Sequence, residues 1–230
     1  MSERWDYRLY RRIMHKYYLF DLGFDLKLAA KREAVDYVRE HMRGALMMAD
    51  RYALYRLALR EARPLLADGL VLEFGVSAGK SIRDIAGRVG AQKRVHGFDS
   101  FEGLPGDWSG TDMLAGRFSR GGKLPSVPAN VTLHKGWIED TLPPFVAATR
   151  GPLAFANIDV DLYSSTVSIL TALGERIVSG SVIVFDEYFN YPGWRDHEHK
   201  AWAEFVAARG LAYRYVGFSA TRGQVAVQVV

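Results

Sequence analysis

Five carboxylates in this 230-residue chain sit at the ends of short apolar runs: Glu73 in LVLEF, Asp99 after RVHGF, Asp159 after LAFANI, and Asp186-Glu187 after SVIVF. Oxygen donors gathered in this way suit a cation or the hydroxyls of a sugar, and they repel a ligand rich in phosphate. The first run leads into GVSAGKS, which has the look of a phosphate loop. Such a loop needs two glycines five positions apart before its Lys-Ser/Thr, so that enough backbone N–H groups wrap one phosphate. Gly75 and Gly79 are four apart, Phe74 stands where the first glycine belongs, and Lys80 and Ser81 read as the start of a helix. The G-x-G-x-x-G of a dinucleotide site is also missing. An acid closing a second strand about 20 residues past a glycine turn suits a ribose diol, and Asp99 is so placed. S-adenosylmethionine has a ribose, an adenine and an amino-acid tail but no phosphate, and it is the ligand this pattern fits.

These residues must be held by a frame, and the frame is legible. Apolar runs at 70–74, 94–98, 131–134, 153–158, 181–185, 212–218 and 224–230 read as seven strands. The first five alternate with helical segments, which predicts an α/β fold with a doubly wound, mostly parallel sheet. The short SATRG link makes the last strand antiparallel. Residues 1–67 show no strand-like segment and read as an N-terminal helical extension, with 68–230 as the sheet domain. Tyr52, Tyr55, Leu59, Ala62 and Leu66 recur at helical spacing before a stop at Gly69. Residues 107–130, rich in Gly, Ser and Pro, read as a mobile surface loop. In such a sheet ligands bind beyond the carboxyl ends of the strands, where the acids fall.

Composition narrows the classes further. The chain has no cysteine, which excludes disulfides, thiolate metal sites and cysteine nucleophiles and fits a cytoplasmic setting. No signal-like or bilayer-length apolar run is present, so no membrane partner is expected. Residues 1–66 hold 14 Lys/Arg against 9 Asp/Glu, and the remainder 16 against 17. The basic, aromatic start WDYRLYRRIMHKYYLF reads as an amphipathic helix burying Trp5, Tyr10, Ile13, Met14 and Tyr17, not as a nucleic-acid arm.

The segments VLEFGVSAGKSI, VHGFDSFEGLPGDW, HKGWIEDTLPPF, NIDVDLYSST and GSVIVFDEY follow one another as in the macrocin O-methyltransferase family of class I S-adenosylmethionine-dependent methyltransferases, which the chain resembles over roughly residues 45–190. The resemblance implies that Glu73, Gly75 and Gly79 bind the methionine part of the donor, and Ser77 and Ser81 of the same turn are further donor-binding candidates. It places Asp99 and Ser100 at the ribose, and Trp137, Ile138 and Asp140 around the adenine, with Asp159 also beside the donor. It implies a magnesium ion on Asp159, Asp186 and Glu187 that holds a substrate diol, a small hydroxylated natural product or sugar-like acceptor, and a homodimer. The acidic pair is Asp-Glu here where family members typically carry Asp-Asp.

The chemistry agrees on independent grounds. A hydroxyl is a poor nucleophile, and hard carboxylate oxygens can hold magnesium to lower its pKa while a base takes the proton. Asp159 is one base candidate, and His197 in WRDHEHKAW is another. His197 and His199, two apart, point to different helix faces and do not share a metal. Asp161 reads as a turn or cap residue outside the metal set. Asp186 and Glu187 could instead pair with Arg195 or Lys200, and His96 reads as a core residue. Tyr188, Phe189, Tyr191, Trp194, Tyr17 and Tyr18 are candidates for an acceptor pocket. The readings set against this one are a metal-free methyltransferase, a nucleotide-dependent oxidoreductase and a non-catalytic donor-binding module.

Overall fold

The computed structural model describes residues 21–230. Helix α1 (Leu22–His41) begins at Asp21, whose side chain accepts from the Phe24 N–H. Strand β1 (Leu46–Met48), helix α2 (Arg51–Glu61) and the single turn α3 (Arg63–Leu66) follow. The chain then alternates through β2 (Leu70–Phe74), α4 (Lys80–Val89), β3 (Val95–Asp99), β4 (Val131–Lys135), α5 (Ile138–Ala148), β5 (Leu153–Ile158), α6 (Tyr163–Leu173), β6 (Val182–Phe185), α7 (Glu198–Arg209), β7 (Tyr213–Ser219) and β8 (Val225–Val229). The candidate residues Trp5, Tyr10, Ile13, Met14, Tyr17 and Tyr18 lie outside the described residues.

All eight strands form one sheet in the order β1-β7-β8-β6-β5-β2-β3-β4. Neighbours from β4 to β6 are parallel, and β8 is antiparallel to both β6 and β7. The seven expected strands are thus present, with the last one antiparallel, and an eighth corrects the expectation that residues 1–67 lack strands. Strand β1 pairs in parallel with β7, Leu46 opposite Gly217. Leu46 and Met47 stay exposed at this edge, so the segment has no inward-outward alternation by which a strand is recognised.

Residues alternate across the sheet to fill two cores. Leu72, Phe74, Ile158, Ile183 and Phe185 pack on the face covered by α1 and α5 to α7, with Trp202 fully buried among them. Val71, Phe155, Val182 and Val184 face α2 and α4, meeting Leu54, Ala58, Ile82 and Ile85. Strand β5 is buried at every residue, as a central parallel strand covered on both faces must be. Helices on both faces of a mostly parallel sheet make this a doubly wound α/β fold.

From β2 the chain passes through β3 to β4 on one side, and later through β5 to β6 on the other. The order reverses between β2 and β5, which opens a crevice at their carboxyl ends. Residues 100–130 form no helix or strand, and Ser100, Gly103, Leu104, Pro105, Trp108 and Phe118 of this segment line the crevice. Trp108 and Leu104 are buried against Leu162. The Leu104 N–H donates to the Arg117 carbonyl, and the Gly116 N–H donates to that of Leu104.

Candidate active site

A cavity of about 470 Å³ fills the crevice, a size that suits a ligand of several rings. One wall is the turn after β2. Gly75 has φ +84°, and a Cβ there would lie 1.7 Å from the Asp159 carbonyl oxygen, so only glycine lets this turn lie against the end of β5. The Ser77 N–H donates to Asp99 Oδ2 at 2.7 Å, and the Phe101 N–H to Asp99 Oδ1 at 2.6 Å. Asp99 therefore ties the glycine turn to the loop after β3, and each of its oxygens keeps a further lone pair for a hydroxyl.

Glu73 lies behind this turn and does not line the cavity. It is fully buried, and its Oε1 accepts from the Ser81 hydroxyl and from Asn157 Nδ2 at 3.2 Å. Its Oε2 has no partner among the described residues. Burial pushes the carboxyl up to about 8, against the opposing effect of those two hydrogen bonds. Ser81 thus has two faces, one toward Glu73 and one toward the cavity. Gly79, in the left-handed region at φ +73°, ends the turn but stays off the cavity wall.

The opposite end of the cavity is acidic. Asp159, Asp161 and Glu187 each offer an oxygen, all within 4.8 Å of one another. Asp186, next to Glu187 beyond β6, is 2% exposed, and its Oδ1 has no partner among the described residues. Its other oxygen accepts from Arg51 Nη2 at 2.7 Å, while Arg51 Nη1 lies 3.6 Å from Asp159 Oδ2. The partner of Asp186 is therefore Arg51, not Arg195 or Lys200. Burial is the first cause and the neighbouring Asp186 the second that hold Asp159 and Glu187 well above the usual carboxylate range, and both push Asp161 up to about 7. Buried Glu198 fastens this edge by accepting the Glu187 N–H at 2.9 Å.

Asp161 is a turn residue, as its type suggests, and it also lines the cavity. Its φ is +63°, and the Leu162 N–H donates to the Val160 carbonyl at 2.6 Å across it. A non-glycine residue in such a tight turn costs on the order of 1–3 kcal/mol, and strain of this kind gathers at functional sites.

Of the residues singled out in the sequence, Gly75, Ser77, Ser81, Asp99, Ser100, Trp137, Ile138, Asp159, Asp186 and Glu187 line this one cavity. Asp140 does not; it is exposed, and Glu139 faces the space in its place, a difference of one position in the first turn of α5. His197 is also elsewhere. Its Nε2 lies 3.2 Å from the Ser109 carbonyl oxygen, its ring packs near Trp108 and Tyr191, and burial lowers its pKa. His199 turns to Tyr37 instead, and His96 to His134 within the sheet. Tyr188, Phe189 and Trp194 are core residues, and neither they nor Tyr191 lines the cavity. The sequence pattern does not single out Arg51, Glu139, Glu198 or the loop residues Leu104, Trp108 and Phe118. A lone arginine opening a helix carries no signal of a partner 135 positions away.

Residues 115–215 match the model of the family described as Macrocin-O-methyltransferase. The match covers somewhat less than half of the chain. Over 148 residues the chain is 33% identical to the 8-demethyl-8-(2,3-dimethoxy-alpha-L-rhamnosyl)-tetracenomycin-C 4'-O-methyltransferase of Streptomyces olivaceus, covering 54% of this chain and 56% of that protein. The chain thus spans little more than half the length of this curated relative. Among solved structures, a calicheamicin methyltransferase, CalS11, superposes with a TM-score of 0.60 at 20% identity, over 99% of this chain and 94% of that one. The O-methyltransferase from Bacillus cereus in complex with SAH superposes with a TM-score of 0.52 at 13% identity, over 97% of each chain. These likenesses give the fold: the mostly parallel α/β sheet with helices on both faces is shared with both methyltransferase structures. No helix among the described residues is long and apolar enough to cross a membrane.

Proposed function

We propose that the protein is an S-adenosylmethionine-dependent O-methyltransferase acting on a hydroxyl of a small natural-product or sugar-like metabolite, with Mg²⁺ at its acidic end. The observation that carries this reading is the make-up of the cavity. Its one end is a backbone-lined glycine turn tied to Asp99, and its other end is a cluster of carboxylates. The name of the Streptomyces olivaceus relative, a 4'-O-methyltransferase of a rhamnosyl tetracenomycin, supports the acceptor class.

Methyl transfer displaces a sulfonium that is already a good leaving group, so the protein has to align donor and acceptor and accept a proton. The glycine turn at 75–78 lies along the amino-acid tail of the donor, with the Glu73 carboxyl behind it. Asp99, with Ser100, takes the ribose hydroxyls on the lone pairs that Ser77 and Phe101 leave free. Trp137 and Ile138 flank the adenine, and Glu139 takes the place expected for Asp140. Phe118, Trp108 and Leu104 line the cavity from the loop after β3 and offer apolar surface to the ligand.

The acidic end fits a magnesium ion on chemical grounds. It offers hard carboxylate oxygens, and Asp186 Oδ1 and Glu187 Oε2 are buried without a partner among the described residues. Asp159, Asp186 and Glu187 would hold the ion, which when bound lowers the pKa of the acceptor hydroxyl. Asp161, which lines the cavity beside them, accepts the hydroxyl proton, a role that His197 does not fill because it faces the Ser109 carbonyl. The reading also includes a homodimer and a cytoplasmic setting, with residues 1–67 as an extension beside a 68–230 catalytic domain.

The test is transfer of a labelled methyl group from S-adenosylmethionine to a panel of sugar and phenolic hydroxyls, with Mg²⁺ and with a chelator. Product that is lost on chelation supports the full reading. Equal product under both conditions removes the metal and leaves the methyltransferase. No product on any hydroxyl, with donor still bound, favours a non-catalytic donor-binding module.

A further inference from the structure

The acidic end of the cavity already contains a cation, supplied by the chain. Four carboxylates line it, from Asp159, Asp161, Asp186 and Glu187, and the Arg51 guanidinium reaches in among them. It bonds Asp186 at 2.7 Å and stands 3.6 Å from Asp159. These are two of the three side chains assigned above to the magnesium ion. A guanidinium in that position uses the same lone pairs that an ion would need, and its positive charge raises the energy of a divalent ion beside it.

We propose that Arg51 is a tethered cation that competes with the divalent ion for Asp159 and Asp186, so that the ion binds only as Arg51 withdraws. The proposal rests on the magnesium part of the reading above. Arg51 is built to move. It is the first residue of α2, a helix fixed independently by the Asp50 cap on the Ala53 N–H and by buried Leu54, Tyr55 and Ala58. The arginine side chain remains 30% exposed, whereas that of Asp186 is 1% exposed. Its long stem can rotate toward the solvent while the helix stays in place. The contacts are also unequal. The longer one to Asp159 is the weaker, and Asp186 keeps one oxygen unpartnered even with Arg51 in place. In the ion-free protein the guanidinium keeps the like charges together. With the ion present it becomes the cation to be expelled, and the chain's affinity for the ion is lower by the strength of that competition.

The experiment is Mn²⁺ titration of the full chain, followed by electron paramagnetic resonance, for wild type, R51Q and R51K. Calorimetric binding of S-adenosylhomocysteine to each protein reports that the fold and donor site are intact. R51Q is expected to bind Mn²⁺ at least about tenfold more tightly than wild type, since it removes a full charge next to the ion. R51K is expected to fall between them, because a compact ammonium cannot span both carboxylates as the guanidinium fork does. If R51Q does not fold, R51K decides alone, and an affinity equal to that of wild type overturns the proposal. R51Q that binds S-adenosylhomocysteine normally but holds Mn²⁺ no more tightly, or less, likewise overturns it. If no variant binds Mn²⁺ while all bind S-adenosylhomocysteine, this proposal and the magnesium reading fall together, and the methyltransferase reading stands.

Discussion

Exchanging Glu73 for Gln should change how the stability of the ligand-free protein depends on pH. Burial, the main cause, raises the Glu73 carboxyl from 4.5 to about 8. The folded protein therefore binds a proton here between those pH values while the unfolded chain does not. Stability from this group is fully present below about pH 4.5 and is lost as pH rises toward 8, where the loss levels off. Each pH unit in that window costs about 1.4 kcal/mol, so roughly 3 kcal/mol is lost by pH 7. The amide of the E73Q variant would keep the oxygen that accepts from Ser81 and Asn157 and would not ionise. Its NH2 group would replace the unpartnered Oε2, at a cost of about 1–3 kcal/mol that does not vary with pH. That constant cost sets the offset between the two proteins, and the ionisation of Glu73 sets the difference in slope. Urea denaturation from about pH 5 to 8 should show E73Q gaining about 1.4 kcal/mol per unit on wild type. Parallel pH profiles would refute the claim that Glu73 is held protonated by burial.

Other substitutions separate the roles assigned to neighbouring residues. D161N should lower turnover by at least about a hundredfold, the usual scale for loss of a base, with S-adenosylhomocysteine affinity unchanged in calorimetry. D161G should relieve the left-handed strain and raise the melting temperature in a thermal scan while still lacking activity. H197N should stay within a few-fold of wild type in a methyl-transfer assay, because the ring faces Ser109 and not the cavity. G75A should destabilise the fold by at least about 2 kcal/mol in urea, since both its φ and the Asp159 carbonyl oppose a side chain. W202A, which empties the core between Phe185 and Tyr213, should cost about 3–5 kcal/mol in the same measurement while leaving the cavity lining in place.

The sheet is legible in the sequence because its central strands are apolar on both faces and are separated by helical segments of ordinary length. Strands β2 and β5 can be read to the residue, since burial leaves them no other pattern. Strand β1 cannot, because a three-residue edge with Leu46 and Met47 exposed carries no period, and its partner β7 lies far along the chain. At the site, the residues that follow directly from strand ends are readable: Gly75, Asp99, Asp159, Asp186 and Glu187. Those fixed by the conformation of a loop or by distant packing are not. Asp161 needs the reversed turn after β5 to be seen as a cavity residue, and Arg51 needs the packing of α2 on the sheet. Glu139, not Asp140, lines the cavity from the first turn of α5, and which of two adjacent helical residues does so depends on packing that the sequence does not display. His197 attracts attention as the side chain that titrates near neutrality, yet it is spent on a loop carbonyl.

Whether the glycine turn and Asp99 hold a methyl donor is decided by calorimetric titration with S-adenosylmethionine, beside NADH and ATP. Micromolar binding of S-adenosylmethionine, weakened at least about tenfold in D99N by loss of the charged diol acceptor and unmatched by either nucleotide, is the predicted result. Binding of NADH or ATP in its place would contradict the reading of Glu73, Gly75 and Asp99, and the methyltransferase proposal with it.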